Sequence, residues 1–557
     1  MPSLIPAIVS ALSILACVPP GAGDPPEETT AHYADELLRR TYSADGPGAA
    51  VLVARGDTIL FRGARGEGDI QSHSQLHPNS VFRIGSVTKQ FTAAAVLTLV
   101  EDGRVGLDDP LSRYLSDYPN GDQITLRHLL NHTAGVRNFN NLPEYIDGIE
   151  RDLTTSEIIS LFRDESLVFL PGESWAYSNS GYVLLGAVIE SVTGLAWHEY
   201  MAQRFFRPLG MSHTGYGHDP QFAALQVRGY RYDEDTVAPM LPMSMTQPHA
   251  AGALVSNVDD LLIWTRALHE GRILRSQSYQ MMAVPEGAAA VEGVRYGFGL
   301  YEISIRQQRA LRHGGRIFGF IASLTYLPGP DITVVVLEND DAHNGPEQAD
   351  ALTRRLVAHA LDAPYPMPDA IPTEVASLEA AQGVYDFGDG VVRTIRLEAG
   401  RLTAQRNVGP RLQLTPIAAD DFLYEDGFTR LQFDRDTTGA IVAARFFASG
   451  DGEGVSGVRI STGATPPPTG LELPSAVMER FVGIYANSEL SVSVTLEGET
   501  LLAQIAGQPS FRLLAASPTL FDVEEAGASV EFVPASGPVL EMVIRQNGRE
   551  TVLARTP

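Results

Sequence analysis

Lysine is almost absent from this sequence: of its 41 Lys and Arg residues one is a lysine, Lys89. Arginine keeps its proton in proteins, so the chain has a single side-chain amine that burial can turn into a base. Cysteine is as scarce. The lone Cys17 excludes a disulfide framework, and the chain beyond it carries no thiol for catalysis or metal ligation. Positive charge as a whole is in deficit, with a net charge of −26 and a pI near 4.9. That balance excludes nucleic acid as a partner, because phosphate binding needs a basic footprint. After the first 23 residues no apolar run is long enough to span a membrane.

Residues 1–23 carry no charged side chain, and the apolar run Ile5–Val18 ends at Pro19-Pro20. This reads as a signal peptide rather than a spanning helix. Ile14-Leu15-Ala16-Cys17 resembles the lipobox of bacterial lipoproteins, so the segment is either a lipoprotein signal, with membrane attachment through a lipidated Cys17, or an ordinary secretory one. Both imply a periplasmic or secreted protein.

The single lysine stands in Gly85-Ser86-Val87-Thr88-Lys89-Gln90-Phe91, and from Ser86 to Val100 no other residue is charged. Apolar residues occur on every side of this stretch, as in a buried helix. A lysine there should have its pKa pushed down, and Ser86 three residues earlier shares its helix face. This is the pattern of a lysine-activated serine nucleophile.

In the remaining chain, residues 31–40 read as a helix, and Gly48–Asp57 with Thr58–Arg62 as a hairpin. Residues 125–217 are mostly helical, including Gly181–Val192, and Ser256-Asn257-Val258-Asp259 has the form of a capping box. From Tyr296 the pattern turns to strands (Tyr296–Ile303, Ala310–Tyr326, Ile332–Leu337), followed by a last helix ending near Leu361. Strands at both ends with helices between them predict an antiparallel sheet plus a helical subdomain over residues 30–362, an α+β fold. Residues 363–373 are a proline-rich linker. Beyond it the sequence repeats at an offset of 99–100 residues: Gly383-Val-Tyr385 recurs as Gly483-Ile-Tyr485, and Phe422 and Phe433 as Phe521 and Phe532. Two small all-β barrel domains are expected, at 374–461 and 475–557, separated by a Pro-rich linker at 462–474.

Two further elements can complete the serine and lysine. Tyr177-Ser178-Asn179 offers a phenol to relay a proton and an amide to hold both the lysine and a substrate carbonyl. His313-Gly314-Gly315 lies on a strand whose glycines let another backbone approach closely. His128 and His132 stand four residues apart with no nearby third ligand, so no metal site is expected.

With Ser86-x-x-Lys89, Tyr177-x-Asn179 and His313-Gly314-Gly315 in this order, the sequence resembles the penicillin-recognising serine hydrolases: class C β-lactamases, DD-peptidases, D-aminopeptidases and related esterases. Arg127–Gly135, Pro171-Gly-Glu173, Ala251–Ser256 and Tyr296–Leu300 add to the likeness. The resemblance implies a β-lactamase/transpeptidase-like catalytic domain and acyl transfer without a cofactor. Ser86 is then the nucleophile, Lys89 and Tyr177 move its proton, Asn179 orients the substrate, and the backbone N–H groups of Ser86 and Arg316 form the oxyanion hole. His313 replaces the lysine found in such β-lactamases, which favours peptidase- or esterase-like action on small D-amino-acid-containing substrates. The three-domain layout is most like that of the D-aminopeptidases.

Overall fold

The computed structural model describes residues 29–556, apart from 143–144, 146–147, 234–235, 292, 342–346, 368, 389–390, 408–410, 463–472, 488–489, 499, 506–509, 524–527, 535–536, 538 and 547–548. The signal segment with Cys17 and most of the 462–474 linker therefore lie outside the described residues.

The region before the linker is built on a six-stranded antiparallel sheet. Its strands are β1 (Ala49–Arg55), β2 (Thr58–Arg65), β3 (Tyr301–Ile305), β4 (Gln308–Ile317), β5 (Phe320–Leu327) and β6 (Ile332–Glu338), in the order β3-β4-β5-β6-β1-β2. N-terminal β1 pairs with C-terminal β6, Ala49 opposite Glu338 through Arg55 opposite Ile332, which closes the sheet around the helical insertion. Alternation assigns each buried side chain of β1 to one of two cores. Ala49, Val51 and Val53 face α1 (Thr30–Thr41) and the last helix of the region, Glu347–Ala360, while Ala50, Leu52 and Ala54 join the larger core. That larger core contains α2 (Thr88–Glu101) and α3 (Asn179–Thr193). Every residue of α2 from Thr88 to Leu99 is buried, which explains its lack of a polar face.

Several local expectations shift by a few residues, each for a visible reason. The helix Val258–His269 is capped by Asn257, whose side chain accepts the Asp260 N–H, while Ser256 bonds instead to Thr214. The segment Tyr296–Leu300 is a turn and not the start of a strand. Gly299 takes a φ of +71°, and a Cβ there would stand 2.7 Å from the Lys89 carbonyl oxygen, so this turn rests on the α2 backbone. The stretch Ala310–Tyr326 is two strands, broken where Gly319 has a φ of +78°.

Both C-terminal repeats are closed eight-stranded antiparallel barrels, Gly383–Ser461 and Gly483–Arg555. The aromatic pairs recur in the same geometry: Phe422 and Phe433 lie edge to face at 5.6 Å, Phe521 and Phe532 at 5.5 Å. Each barrel also has a latch absent from the sequence reading. Tyr385 donates its hydroxyl to the Ala381 carbonyl and Tyr485 to that of Phe481, and each phenol ring faces an arginine, Arg459 or Arg555, at 5.8 Å.

The first barrel is docked onto the region that carries the six-stranded sheet. At the tip of the β3–β4 hairpin, Arg306 donates to the carbonyls of Ala363, Pro364 and Gly450 and stacks on Tyr365 at 3.8 Å. Arg354 and Arg355 of the helix Glu347–Ala360 lie over Phe428 of the barrel. The proline-rich stretch is thus gripped on both sides, and its contacts reach the hairpin that carries His313.

Candidate active site

Ser86 is held at a junction of short elements. Phe82–Arg83 pairs with Leu254–Ser256, the Ile84 N–H donates to the Leu254 carbonyl, and a turn of 3-10 helix (Gly85–Val87) leads into α2. Gly85 has a φ of +49°, and a Cβ on it would lie 3.0 Å from the Arg316 amide nitrogen. From the other side, a Cβ on Gly315 would lie 2.0 Å from the Ile84 carbonyl oxygen and 3.2 Å from the Ser86 nitrogen. Two backbones therefore run against each other, and only glycine permits it. The close approach expected of His313-Gly-Gly315 is made by Gly315; at Gly314 the nearest atom to a Cβ is Arg312 Nη2 at 3.4 Å. Pairing of β3 with β4 stops at Tyr301 opposite Arg312, so residues 313–317 present an open strand edge beside Ser86.

Lys89 is fully buried, and its Nζ has three oxygen partners: Ser86 Oγ at 3.0 Å, Asn179 Oδ1 at 2.7 Å and the Ala251 carbonyl at 2.8 Å. Burial pushes its pKa well below the ordinary lysine value. A neutral amine has two N–H donors and one lone pair. Asn179 Oδ1 and the Ala251 carbonyl can only accept, so they take the two donors and leave the lone pair for the Ser86 hydroxyl. Tyr177 completes the group: Nζ lies 4.7 Å from its ring centre, and it lines the same cleft as Ser86. Burial raises the phenol well above its usual pKa, so it is neutral and can relay a proton without being a standing phenolate.

Asn179 is the first residue of α3, with Ser178 as the cap. Its Nδ2 donates to Asn140 Oδ1 at 2.6 Å and its backbone N–H to Asn138 Oδ1 at 3.1 Å. With Oδ1 on the lysine and one Nδ2–H on Asn140, one N–H remains for a substrate carbonyl. Asn138 and Asn140 escaped the sequence reading; the only signal was the asparagine-rich run Asn138-Phe-Asn-Asn141. His313 is buried, with Nδ1 against the Gly314 carbonyl at 2.6 Å and Nε2 against the Tyr296 hydroxyl at 3.1 Å. Nδ1 therefore carries the proton and Nε2 accepts. Burial, with Lys89 adding to it, depresses this imidazole to a pKa of about 3, so His313 is no substitute for a lysine cation.

Ser86, Asn179 and Arg316 separate two clefts. One, of about 120 Å³, is lined by Phe139, Tyr145, Met243 and Phe318. The other, of about 540 Å³, is lined by Tyr177, Tyr301 and His313-Gly314-Gly315. His128 and His132 diverge: the His128 ring caps the Thr125 N–H at 3.3 Å, and His132 lies beneath Tyr177.

Beyond the site, buried His249 and half-buried His269 also have pKa values depressed to about 3 by desolvation. The unfolded chain protonates these and His313 near pH 6.5, while the folded chain refuses the protons until about pH 3. Their contribution to stability is complete above pH 6.5 and declines as the pH falls, by about 1.4 kcal/mol per histidine per pH unit. Buried Glu338, raised to about 8, acts in the opposite sense: its contribution is present at low pH and is lost between about 4.5 and 8. Net proton uptake on unfolding is expected at pH 5, with the urea midpoint rising from pH 4.5 to 6.5; a flat profile over that range would contradict these burials.

The family model Beta-lactamase matches residues 32–359. The chain belongs to this family. Penicillin-binding protein 4* of Bacillus subtilis (strain 168) is 27% identical over 439 residues, 73% of this chain and 94% of that protein. Among solved structures, D-amino acid amidase from Ochrobactrum anthropi SV3 is 25% identical with a TM-score of 0.53, covering 59% of this chain and 97% of that one. The octameric penicillin-binding protein homologue from Pyrococcus abyssi shares the fold at 22% identity and a TM-score of 0.54, covering 75% and 96%. This Beta-lactamase family member is thus a serine hydrolase of the β-lactamase and penicillin-binding-protein type.

Proposed function

We propose that the chain hydrolyses amides or esters of small D-amino-acid-type substrates through an acyl-enzyme on Ser86. The observation that carries this is the buried Lys89 Nζ, held by Asn179 Oδ1 and the Ala251 carbonyl at 3.0 Å from Ser86 Oγ. Lys89 takes the hydroxyl proton as Oγ attacks the carbonyl, and the N–H groups of Ser86 and Arg316 receive the developing oxyanion. Tyr177 relays the proton to the leaving group. Because Tyr177 lines the larger cleft alone of the two, the leaving group departs there and the acyl side chain occupies the smaller, aromatic cleft. The open edge at 313–317 can pair with an extended substrate backbone. A neutral His313 offers no charge to a β-lactam carboxylate, and the likeness to D-amino acid amidase supports small D-configured amides.

The test is a panel of D- and L-phenylalanine amide, a D-alanyl anilide, a short-chain aryl ester and a chromogenic cephalosporin, with Ser86→Ala as control. Turnover of D-amides and the ester, with a mass increment on the Ser86 peptide, is expected. Turnover that survives Ser86→Ala would overturn the mechanism. A stoichiometric burst with a stable adduct would show a β-lactam- or peptidoglycan-binding sensor instead.

A further inference from the structure

His132 belongs to none of the three motifs, yet it holds the middle one from both sides. Its carbonyl accepts the Ala176 N–H at 3.1 Å, and its Nδ1 accepts the Ser178 N–H at 3.2 Å. These are the amides immediately before and after Tyr177. The imidazole itself packs on the Tyr177 ring, centroids 4.4 Å apart, and is backed by Tyr296 at 4.7 Å and Tyr182 at 5.1 Å. Tyr296 in turn hydrogen-bonds His313, so His132 fills the space between the second and third motifs. Its backbone is left-handed, with a φ of +63°, a conformation favoured by Asn, Asp and His among residues with a side chain. Since Nδ1 accepts, the ring proton is on Nε2, which is buried and has no hydrogen-bond partner among the described residues. A merely space-filling residue would not bury an unpaired N–H at a cost of about 1–3 kcal/mol.

We propose that His132 is a positioning residue for Tyr177: its carbonyl and Nδ1 fix the backbone on both sides of the tyrosine, and its ring sets the direction of the phenol toward Ser86. This rests on the acyl-enzyme reading above. A displacement of the phenol by about 1 Å would be enough to cost on the order of 100-fold in rate.

Two substitutions separate the parts of the device. His132→Asn keeps an acceptor for the Ser178 N–H and tolerates the left-handed backbone; His132→Phe keeps the ring contact and removes the acceptor. With enzyme concentration set by folded fraction, His132→Phe is expected to lower kcat by about 10- to 100-fold with KM little changed, and His132→Asn to recover most of that loss. In a Tyr177→Phe background, where no phenol remains to be aimed, His132→Phe should add little, so the two effects are strongly non-additive. Additive effects in this cycle, or a His132→Phe enzyme with the parent kcat, would overturn the role of His132. Ser86→Ala distinguishes the two levels: turnover surviving it overturns the acyl-enzyme reading, whereas its loss together with additive His132 and Tyr177 effects overturns the positioning role alone.

Discussion

Lys89→Arg is expected to leave a folded protein whose Ser86 acylates about 10³-fold more slowly. The substitution keeps a basic side chain of similar reach, so a role limited to positive charge would survive it. In the proposed mechanism Lys89 supplies more than charge. Asn179 Oδ1 and the Ala251 carbonyl consume the two N–H donors of a neutral amine, and the Ser86 hydroxyl meets the lone pair that remains. A guanidinium has no lone pair to offer and does not release its proton. General-base catalysis typically contributes 10²- to 10⁴-fold, and Tyr177, with its pKa raised, cannot replace the amine. The measurement is the rate of adduct formation on Ser86 by mass spectrometry between pH 6 and 10, with thermal unfolding as the check on folding. Raising the pH should not rescue the variant. Retained acylation would reduce Lys89 to a compositional accident.

The second large effect is confined to one of two adjacent glycines. Gly315→Ala would place a methyl group 2.0 Å from the Ile84 carbonyl oxygen, backbone against backbone, with no flexible side chain to yield. The strand must move away from Ser86, costing about 1–3 kcal/mol or more in stability. The Arg316 N–H moves with it, and removal of one oxyanion donor commonly costs 10²- to 10³-fold in kcat. Gly314→Ala meets Arg312 Nη2 at 3.4 Å and the Ala322 carbonyl at 3.7 Å, ordinary contacts, and should stay within about threefold of the parent enzyme. Thermal unfolding and kcat measured on both variants decide the matter; similar behaviour of the two would refute the close approach.

The sequence was legible wherever chemistry demands a residue type at fixed spacing. Ser86 and Lys89 lie three apart, and Tyr177 and Asn179 two apart, because each pair spans one local junction, a 3-10 turn running into α2 and a loop running into α3. The sheet and the barrels were legible too, through alternating strands and a repeat offset of 99–100 residues. What escaped notice acts through backbone groups or across long separations. The Ala251 carbonyl is 162 residues from Lys89 and leaves no mark in a side-chain pattern. His132, read as half of a failed metal pair and as part of the stretch Arg127–Gly135, works through its carbonyl and through a ring nitrogen bonded 46 residues away. The arginine latches of the barrels stand at 459 and 555, a spacing off the repeat.

The strand edge left open at residues 313–317 has a further consequence. Closed barrels expose no unpaired ladder, but this stretch must keep its N–H and C=O groups available, and any extended chain can pair with such a row. The site therefore carries an aggregation hazard that is inseparable from substrate access. Its defences are local: the open stretch is five residues long, contains two glycines, follows Arg312 and includes Arg316. Replacing either arginine with an apolar residue would therefore affect solubility as well as the cleft.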